Sequence, residues 1–213
     1  TTASDRAMSN IVNMLTTPVE PWDALICPSN AVKAHVKTML EEQSSFLVDR
    51  LGATEINYPE LPVIPLGIHT GDFSYTVDKK LAARSDLDIR DEELVVLYTG
   101  RLSFHAKAHP LAMYQALENA VSVTNRRVVL IESGWHGNEH IEVAFQEGAK
   151  ESCPSIRVIR LDGRDVIQRN KGWASADIFC SLADNIQETF GIVPLEAMAA
   201  GLPVVVSDWD GYL

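Results

Sequence analysis

The stretch Glu188-Thr-Phe-Gly-Ile-Val-Pro-Leu-Glu196-Ala-Met-Ala-Ala-Gly201-Leu-Pro203-Val-Val-Val-Ser-Asp208 decides how this chain is read. Ile192, Leu195, Met198 and Ala199 recur at helical spacing, Gly201 follows as a stop signal with Pro203 just beyond, and Val204 to Val206 form an apolar run of strand length. The pattern predicts a helix over 191–200 and a buried strand over 204–207. Glu188 then falls in the loop that delivers the chain to the helix N-terminus, and Glu196 lies more than a turn further along. Gly191 leaves the backbone bare between them. A helix start offers unpaired N–H groups and a positive dipole end, so a pyrophosphate can dock there while a carboxylate on either side accepts hydroxyl hydrogen bonds. Taken alone, two glutamates at this spacing are more simply a solvated loop carboxylate and a polar residue on an exposed helix face.

Working outward, apolar runs alternate with helical stretches from Leu94 onward, the sequence sign of a parallel sheet with crossover helices. Strands are expected over 94–98, 128–132, 156–161, 176–182 and 204–207, and helices over 109–124, 139–151, 166–174 and 191–200. Right-handed crossovers place every strand's carboxyl end along one edge, where ligands of open α/β sheets bind. Residues 1–69 read differently: a helix over 6–15, a strand over 24–27, a helix over 31–47 and a proline-punctuated segment, Pro62-Val-Ile-Pro-Leu-Gly-Ile68. The acidic run Ser85 to Glu93 reads as a solvated loop. The end of the first sheet strand carries Thr99-Gly100-Arg101-Leu-Ser-Phe-His-Ala-Lys107, a flexible glycine and two cations at the ligand edge.

The Glu188…Glu196 element and its Pro-Leu-Glu-Ala-Met-Ala-Ala-Gly run resemble the Glu-x7-Glu signature of retaining glycosyltransferases of family 4, whose members fold as two facing Rossmann-like domains. Gly100-Arg101…Lys107 is similar to that family's phosphate clamp, with one residue more between the two cations than is usual. The resemblance spans roughly Asp23 to Gly211. It implies an α/β fold: a parallel-sheet, Rossmann-like domain that binds the donor, over residues 70–213 and truncated at its C-terminus, with a remnant of a second, acceptor-side α/β domain and its connection over 1–69. It also implies the residue roles. Glu188 faces the donor sugar, Glu196 holds the ribose hydroxyls, and Arg101 and Lys107 stabilise the departing diphosphate. Arg suits bidentate phosphate contact and Lys acts as a compact charge. Gly100, Thr189, Phe190, Gly191 and Ile192 line the donor, the last two through backbone. The loop Asp162-Gly-Arg164-Asp165 meets the nucleobase, largely through backbone groups. The acceptor attacks the face from which the leaving group departs, so no protein nucleophile is needed. The substrate is then a nucleotide-diphosphate sugar, with an unknown acceptor and no cofactor. Two other readings stay open: an epimerase of the related two-domain type, and a non-catalytic sugar-nucleotide-binding module.

Composition narrows the remaining classes. At 213 residues and 46% apolar, the chain can bury one complete domain and part of another. A net charge of −11 argues against nucleic acid and anionic lipid as partners. No apolar run approaches the about 20 residues that span a bilayer, and Thr1-Thr-Ala-Ser-Asp-Arg has no apolar signal core, so a soluble, cytoplasmic protein is expected. With no initiator methionine, and with a stop at Trp209-Asp-Gly-Tyr-Leu213 where a helix should follow, it reads as a piece of a longer protein that lacks its N-terminal domain; alone it should turn over poorly or not at all. Cys27, Cys153 and Cys180 have no paired spacing and read as small buried residues. Asp86-Leu-Asp88 and Asp208-Trp-Asp210 raise a metal-dependent rival, but such triplets are common and a metal would duplicate the clamp. The pairs His105/His109 and His136/His140 lack a third ligand at zinc spacing and read as surface or capping residues.

Overall fold

The structure, a computed structural model, describes residues 4–104, 107, 109–183 and 188–208. They form two compact units. One comprises residues 4–67 together with 188–191, and the other comprises the described residues of 68–183 together with 192–208.

In the first unit α1 (Asp5–Val12) is capped by Ser4, whose Oγ accepts from the Ala7 N–H, and runs on into a 3-10 turn, Asn13–Thr16. The longer α2 (Asn30–Leu51) extends past its expected end, because the next residue able to stop it, Gly52, lies in the left-handed conformation. Val32, Val36, Met39, Leu40 and Leu47 of α2 close on Leu15 and Cys27 to form a small core. Where a strand was expected at 24–27 there are only two parallel bridges, Ala24 to Glu60 and Cys27 to Val63, since the proline-rich partner supplies few N–H groups for a ladder. Ser29 joins this unit to the loop carrying the first glutamate. Its buried hydroxyl caps α2 by accepting from the Val32 N–H and donates to the Thr189 carbonyl at 2.8 Å. The segment 188–191 therefore clusters with the first unit, although the sequence division placed it within 70–213.

The second unit is an open sheet. Its elements are α3 (Val77–Asp86), β1 (Leu94–Leu102), α4 (Pro110–Thr124), β2 (Val128–His136), α5 (Glu139–Ser152), β3 (Arg157–Asp162), α6 (Val166–Ser175), β4 (Ile178–Ser181), α7 (Ile192–Ala199) and β5 (Val204–Val206). All pairings are parallel, in the order β3-β2-β1-β4-β5. The apolar runs of β1 and β2 are near-continuous because both faces are covered. On one face Val95, Leu97, Val129, Ile131 and Phe179 pack with Trp173 of α6 and Ala197 of α7.

Three sequence expectations need correction. The acidic run is not wholly a solvated loop: Ser85 and Asp86 finish α3, and Ile89 enters the core at 6% exposure. Arg84, 4% exposed, anchors the turn after it by donating to the carbonyls of Arg90 and Glu93 and to Asp177 Oδ2. In α7 the buried residues are Pro194 and Ala197, while Ile192 and Met198 are exposed. β5 is an edge strand among the described residues, so Val204 and Val206 reach the core while Val205 stands exposed on the other face. The three cysteines are free and buried, and burial pushes the Cys153 and Cys180 thiols up to about 11.

Candidate functional site

The strand order turns at β1. From there the chain winds outward to β2 and β3 in one direction and to β4 and β5 in the other, so the switch point, where open α/β sheets bind ligands, falls at the carboxyl ends of β1 and β4. Gly100 and Arg101 stand at that end of β1, in register with Gly134 and Trp135 of β2. Arg101 is exposed, and its carbonyl accepts from the Tyr98 hydroxyl. The backbones meet very closely here: a Cβ added to Gly134 would lie 1.9 Å from the Gly100 oxygen. Only a residue without a side chain fits. Gly163, after β3, also packs against Gly134, where its added Cβ would lie 3.0 Å from the Gly134 Cα, and donates its N–H to the Gly134 carbonyl. Lys107 is half-buried in the connection from β1 to α4; its neighbours 106 and 108, like His105, lie outside the described residues.

Beyond β2 and β3 lies a cavity of about 410 Å³ bordered by Gly134, Trp135, His136, Asp162 and Arg164. Arg160 and His136 also line it, and Arg160 is paired with a buried carboxylate. Glu132 is fully buried in the middle of β2, accepts from the Tyr114 hydroxyl, and has Arg160 Nε 2.9 Å from its second oxygen, in a contact not aligned as a hydrogen bond. Burial raises the Glu132 carboxyl, and the Arg160 charge offsets part of this. Burial also lowers the His136 imidazole.

The loop after β3 is largely self-satisfied. Arg164 holds Asp162 through two bonds of 2.9 and 2.8 Å, and the pairing drives the Asp162 carboxyl down to about 2. Asp165 caps α6 by accepting from the Ile167 and Gln168 N–H groups. The N–H groups of 163, 164 and 165 are themselves donated to Gly134 O, Asp162 Oδ1 and Asp162 O. Arg164 and Asp165 are exposed but engaged within the loop, and the N–H groups of 163–165 already have protein partners. Arg164 also follows β3, which stands two places from β1 and its Arg101 in the sheet.

Glu188, Thr189, Phe190 and Gly191 belong to the first unit, whereas Arg101, Lys107, Arg164, Asp165, Ile192 and Glu196 belong to the second. Glu188 Oε1 accepts from the Gly191 N–H at 3.2 Å, closing the turn ahead of α7. Gly191 has φ of +74°, a conformation that favours glycine, so its conformation as well as its bareness explains the residue. The Gly191 N–H expected to face a diphosphate thus has a carboxylate partner. Glu196 is half-buried on α7. Burial raises its carboxyl, and the charge of Arg169 from α6 opposes the rise. The charges of both also act on Tyr75, whose hydroxyl is raised by burial and has no hydrogen-bond partner among the described residues. Sequence reasoning missed Arg169 and Tyr75, for neither stands in a motif. The two glycines packed between strand ends were visible as Ser133-Gly134 and Asp162-Gly163 immediately after apolar runs.

The rival metal triplet does not converge. Asp86 pairs with Lys171 at 2.7 Å and Asp88 with Arg157 at 3.7 Å, on different elements. The second triplet, Asp208 to Asp210, extends outside the described residues. His109 is the N-cap of α4, accepting from the Leu111 N–H, and His140 is exposed. Among the described residues, no helix is long and apolar enough to cross a membrane.

A doubly wound parallel sheet in this order, with a cation at the switch point, defines a Rossmann-like α/β domain of the kind found in two-domain glycosyltransferases. The family described as glycosyl transferases group 1 matches residues 79–213, more than half of the chain, and the chain belongs to that family. An uncharacterized glycosyltransferase of Methanocaldococcus jannaschii, MJ1607, is 29% identical over 161 residues, covering 74% of this chain and 39% of that protein. Among solved structures, Anabaena Alr3699/HepE in complex with UDP and glucose superposes with a TM-score of 0.67 at 18% identity, covering 96% of this chain and 50% of the other. WaaG, a glycosyltransferase involved in lipopolysaccharide biosynthesis, gives 0.64 at 18% identity, covering 99% and 51%. The chain thus spans about two fifths of the length of the curated relative and about half that of these structures.

Proposed function

We propose that this chain is the donor-binding part of a retaining, metal-independent glycosyltransferase of hexosyltransferase type that uses a nucleotide-diphosphate sugar. The observation that carries the reading is the cation at the switch point: Arg101 stands on the carboxyl end of β1 in a chain that belongs to the group 1 glycosyltransferases. A diphosphate leaving group gains negative charge as the glycosidic bond breaks. Cations fixed at that point stabilise the transition state more than the ground state, which is the work assigned to Arg101 and Lys107. Glu196 receives the ribose and Glu188 the sugar. Supporting the nucleotide sugar as ligand, the fold-related HepE has been solved with UDP-glucose. Transfer to the acceptor, whose chemistry is open, belongs to a protein that also carries an acceptor-side domain; this chain alone binds donor weakly and turns over poorly or not at all.

Calorimetric titration of UDP, GDP and ADP tests the reading. One of the three binds, and Arg101→Ala and Glu196→Ala each weaken that binding about tenfold or more, as expected for loss of a charge-assisted hydrogen bond. Unchanged affinity in both variants removes the assignment.

A further inference from the structure

Three strands reach the ligand edge side by side: β1 brings Arg101, β2 brings Trp135, and β3 leads into 163–165. Arg101 and Trp135 are partners in the parallel ladder, so their backbones lie about 4.8 Å apart. Side chains alternate along a strand. Leu97 of β1 and Ile131 of β2 pack with Trp173 of α6 and Ala197 of α7, and Arg101 and Trp135 each stand four places further on, on the same face. Glu196 is carried by α7, which covers that face. Trp135 is 37% exposed, whereas Trp173 is 2% exposed in the core. The positions beside the indole carry no side chain to cover it: Gly134 precedes it, and Gly163 follows the end of β3. The cavity of about 410 Å³ over the ends of β2 and β3 borders Trp135 together with Gly134, Asp162 and Arg164, a volume within the range of small-molecule sites.

We propose that Trp135 is a donor-binding residue that holds the nucleobase, its indole stacking on the plane of the base while Arg101 beside it holds the diphosphate. This rests on the reading of Arg101 as the diphosphate clamp. A nucleotide with its diphosphate on β1 and its base toward 163–165 must cross the end of β2, which lies between them in the sheet. The N–H groups of 163–165 already have protein partners, so what this edge offers the base is a stacking surface. An indole and a planar base gain contact over their whole faces and exclude water from both. Recognition of the base thereby passes from the backbone of the loop after β3 to a side chain of β2.

The test uses the full chain with Trp135→Ala and Trp135→Phe, titrated with UDP, GDP, ADP and inorganic pyrophosphate by calorimetry and by tryptophan fluorescence. Trp135→Ala weakens whichever nucleoside diphosphate binds by about tenfold and leaves pyrophosphate, which has no base, unchanged. Trp135→Phe recovers most of the loss, because a phenyl ring still stacks. The bound nucleoside diphosphate quenches the fluorescence of the wild-type chain, and this quenching vanishes in Trp135→Ala. Unchanged nucleoside diphosphate affinity in Trp135→Ala, a loss as large in Trp135→Phe, or an equal loss for pyrophosphate overturns the role of Trp135 and leaves the diphosphate clamp to be judged by Arg101→Ala. If the wild-type chain binds none of the three nucleoside diphosphates, the donor reading falls and the role of Trp135 falls with it.

Discussion

Substituting Gly134 by alanine probes the tightest point of the sheet and its link to the site. The added Cβ would lie 1.9 Å from the Gly100 oxygen, 3.1 Å from the Gly100 carbonyl carbon and 3.2 Å from Leu102 Cγ. Close carbon–oxygen contacts in sheets begin at about 3.3 Å, so β1 and β2 must part locally by more than about 1 Å. Both residues lie within a paired parallel ladder, so the strain has no flexible side chain to absorb it. Overpacking of this kind costs about 1–3 kcal/mol, and one stretched buried hydrogen bond adds about 1 kcal/mol. The expected loss is thus about 2–4 kcal/mol, read in urea unfolding as a midpoint lower by about 1–2 M at an m-value near 2 kcal/mol/M. Because Gly100 directly precedes Arg101, nucleoside diphosphate affinity falls as well. Gly137→Ala is the control: its Cβ would meet only Ile141 Cδ1, at 3.8 Å, and it should stay within about 0.5 kcal/mol of wild type. If Gly134→Ala unfolds at the same urea concentration as Gly137→Ala, the steric reasoning is wrong.

Gly172→Ala should act in the opposite sense, since its Cβ would meet Leu161, Leu97 and Ile131 at 3.4–3.7 Å, ordinary contact distances, inside α6; helix propensity then favours the variant by about 0.5–1 kcal/mol in thermal or urea unfolding. Ser29→Ala removes both the α2 cap and the tie to Thr189, and the cap alone predicts a loss of about 1 kcal/mol, with faster amide exchange at 188–191. Burial alone would raise the Asp177 carboxyl, but bonds from Lys80, the Val95 N–H and Arg84 together lower it. Its contribution to stability is therefore present above the unfolded carboxyl range and lost as pH falls through the lowered folded value, so Asp177→Asn should flatten the acid limb of a stability–pH curve. Arg84→Ala leaves Asp177 with Lys80 and the Val95 N–H but takes the buried guanidinium from the carbonyls of Ser175, Arg90 and Glu93, and should destabilise by about 1–3 kcal/mol in urea unfolding.

The alternation of apolar runs with helical stretches from Leu94 onward was enough to specify a parallel α/β sheet, because a strand covered on both faces must read as a continuous apolar run. The Gly100-Arg101 and Glu188…Glu196 motifs were legible for a similar reason: helix starts and strand ends impose local rules on residue type. α3 escaped notice because its sequence, Val77 to Asp86, buries only Ala83 and Arg84 and so shows almost no apolar period. The burial of Glu132 escaped notice as well, since nothing local marks a carboxylate whose partners, Tyr114 and Arg160, are distant in sequence.

By itself the sequence determined the fold class and the placing of Arg101 at a strand end on the ligand edge, both of which follow from periodicity and chain order, whereas the central place of β1 in the sheet came from the structure. Only the tertiary structure decided that Glu188–Gly191 packs with the first unit through Ser29, that the N–H groups of 163–165 find protein partners, and that Glu132 is buried against Tyr114 and Arg160. Those outcomes depend on which residues far apart in the chain come within a few ångströms. Hydrogen bonds and charge contacts act over such distances and leave no period for a sequence to display.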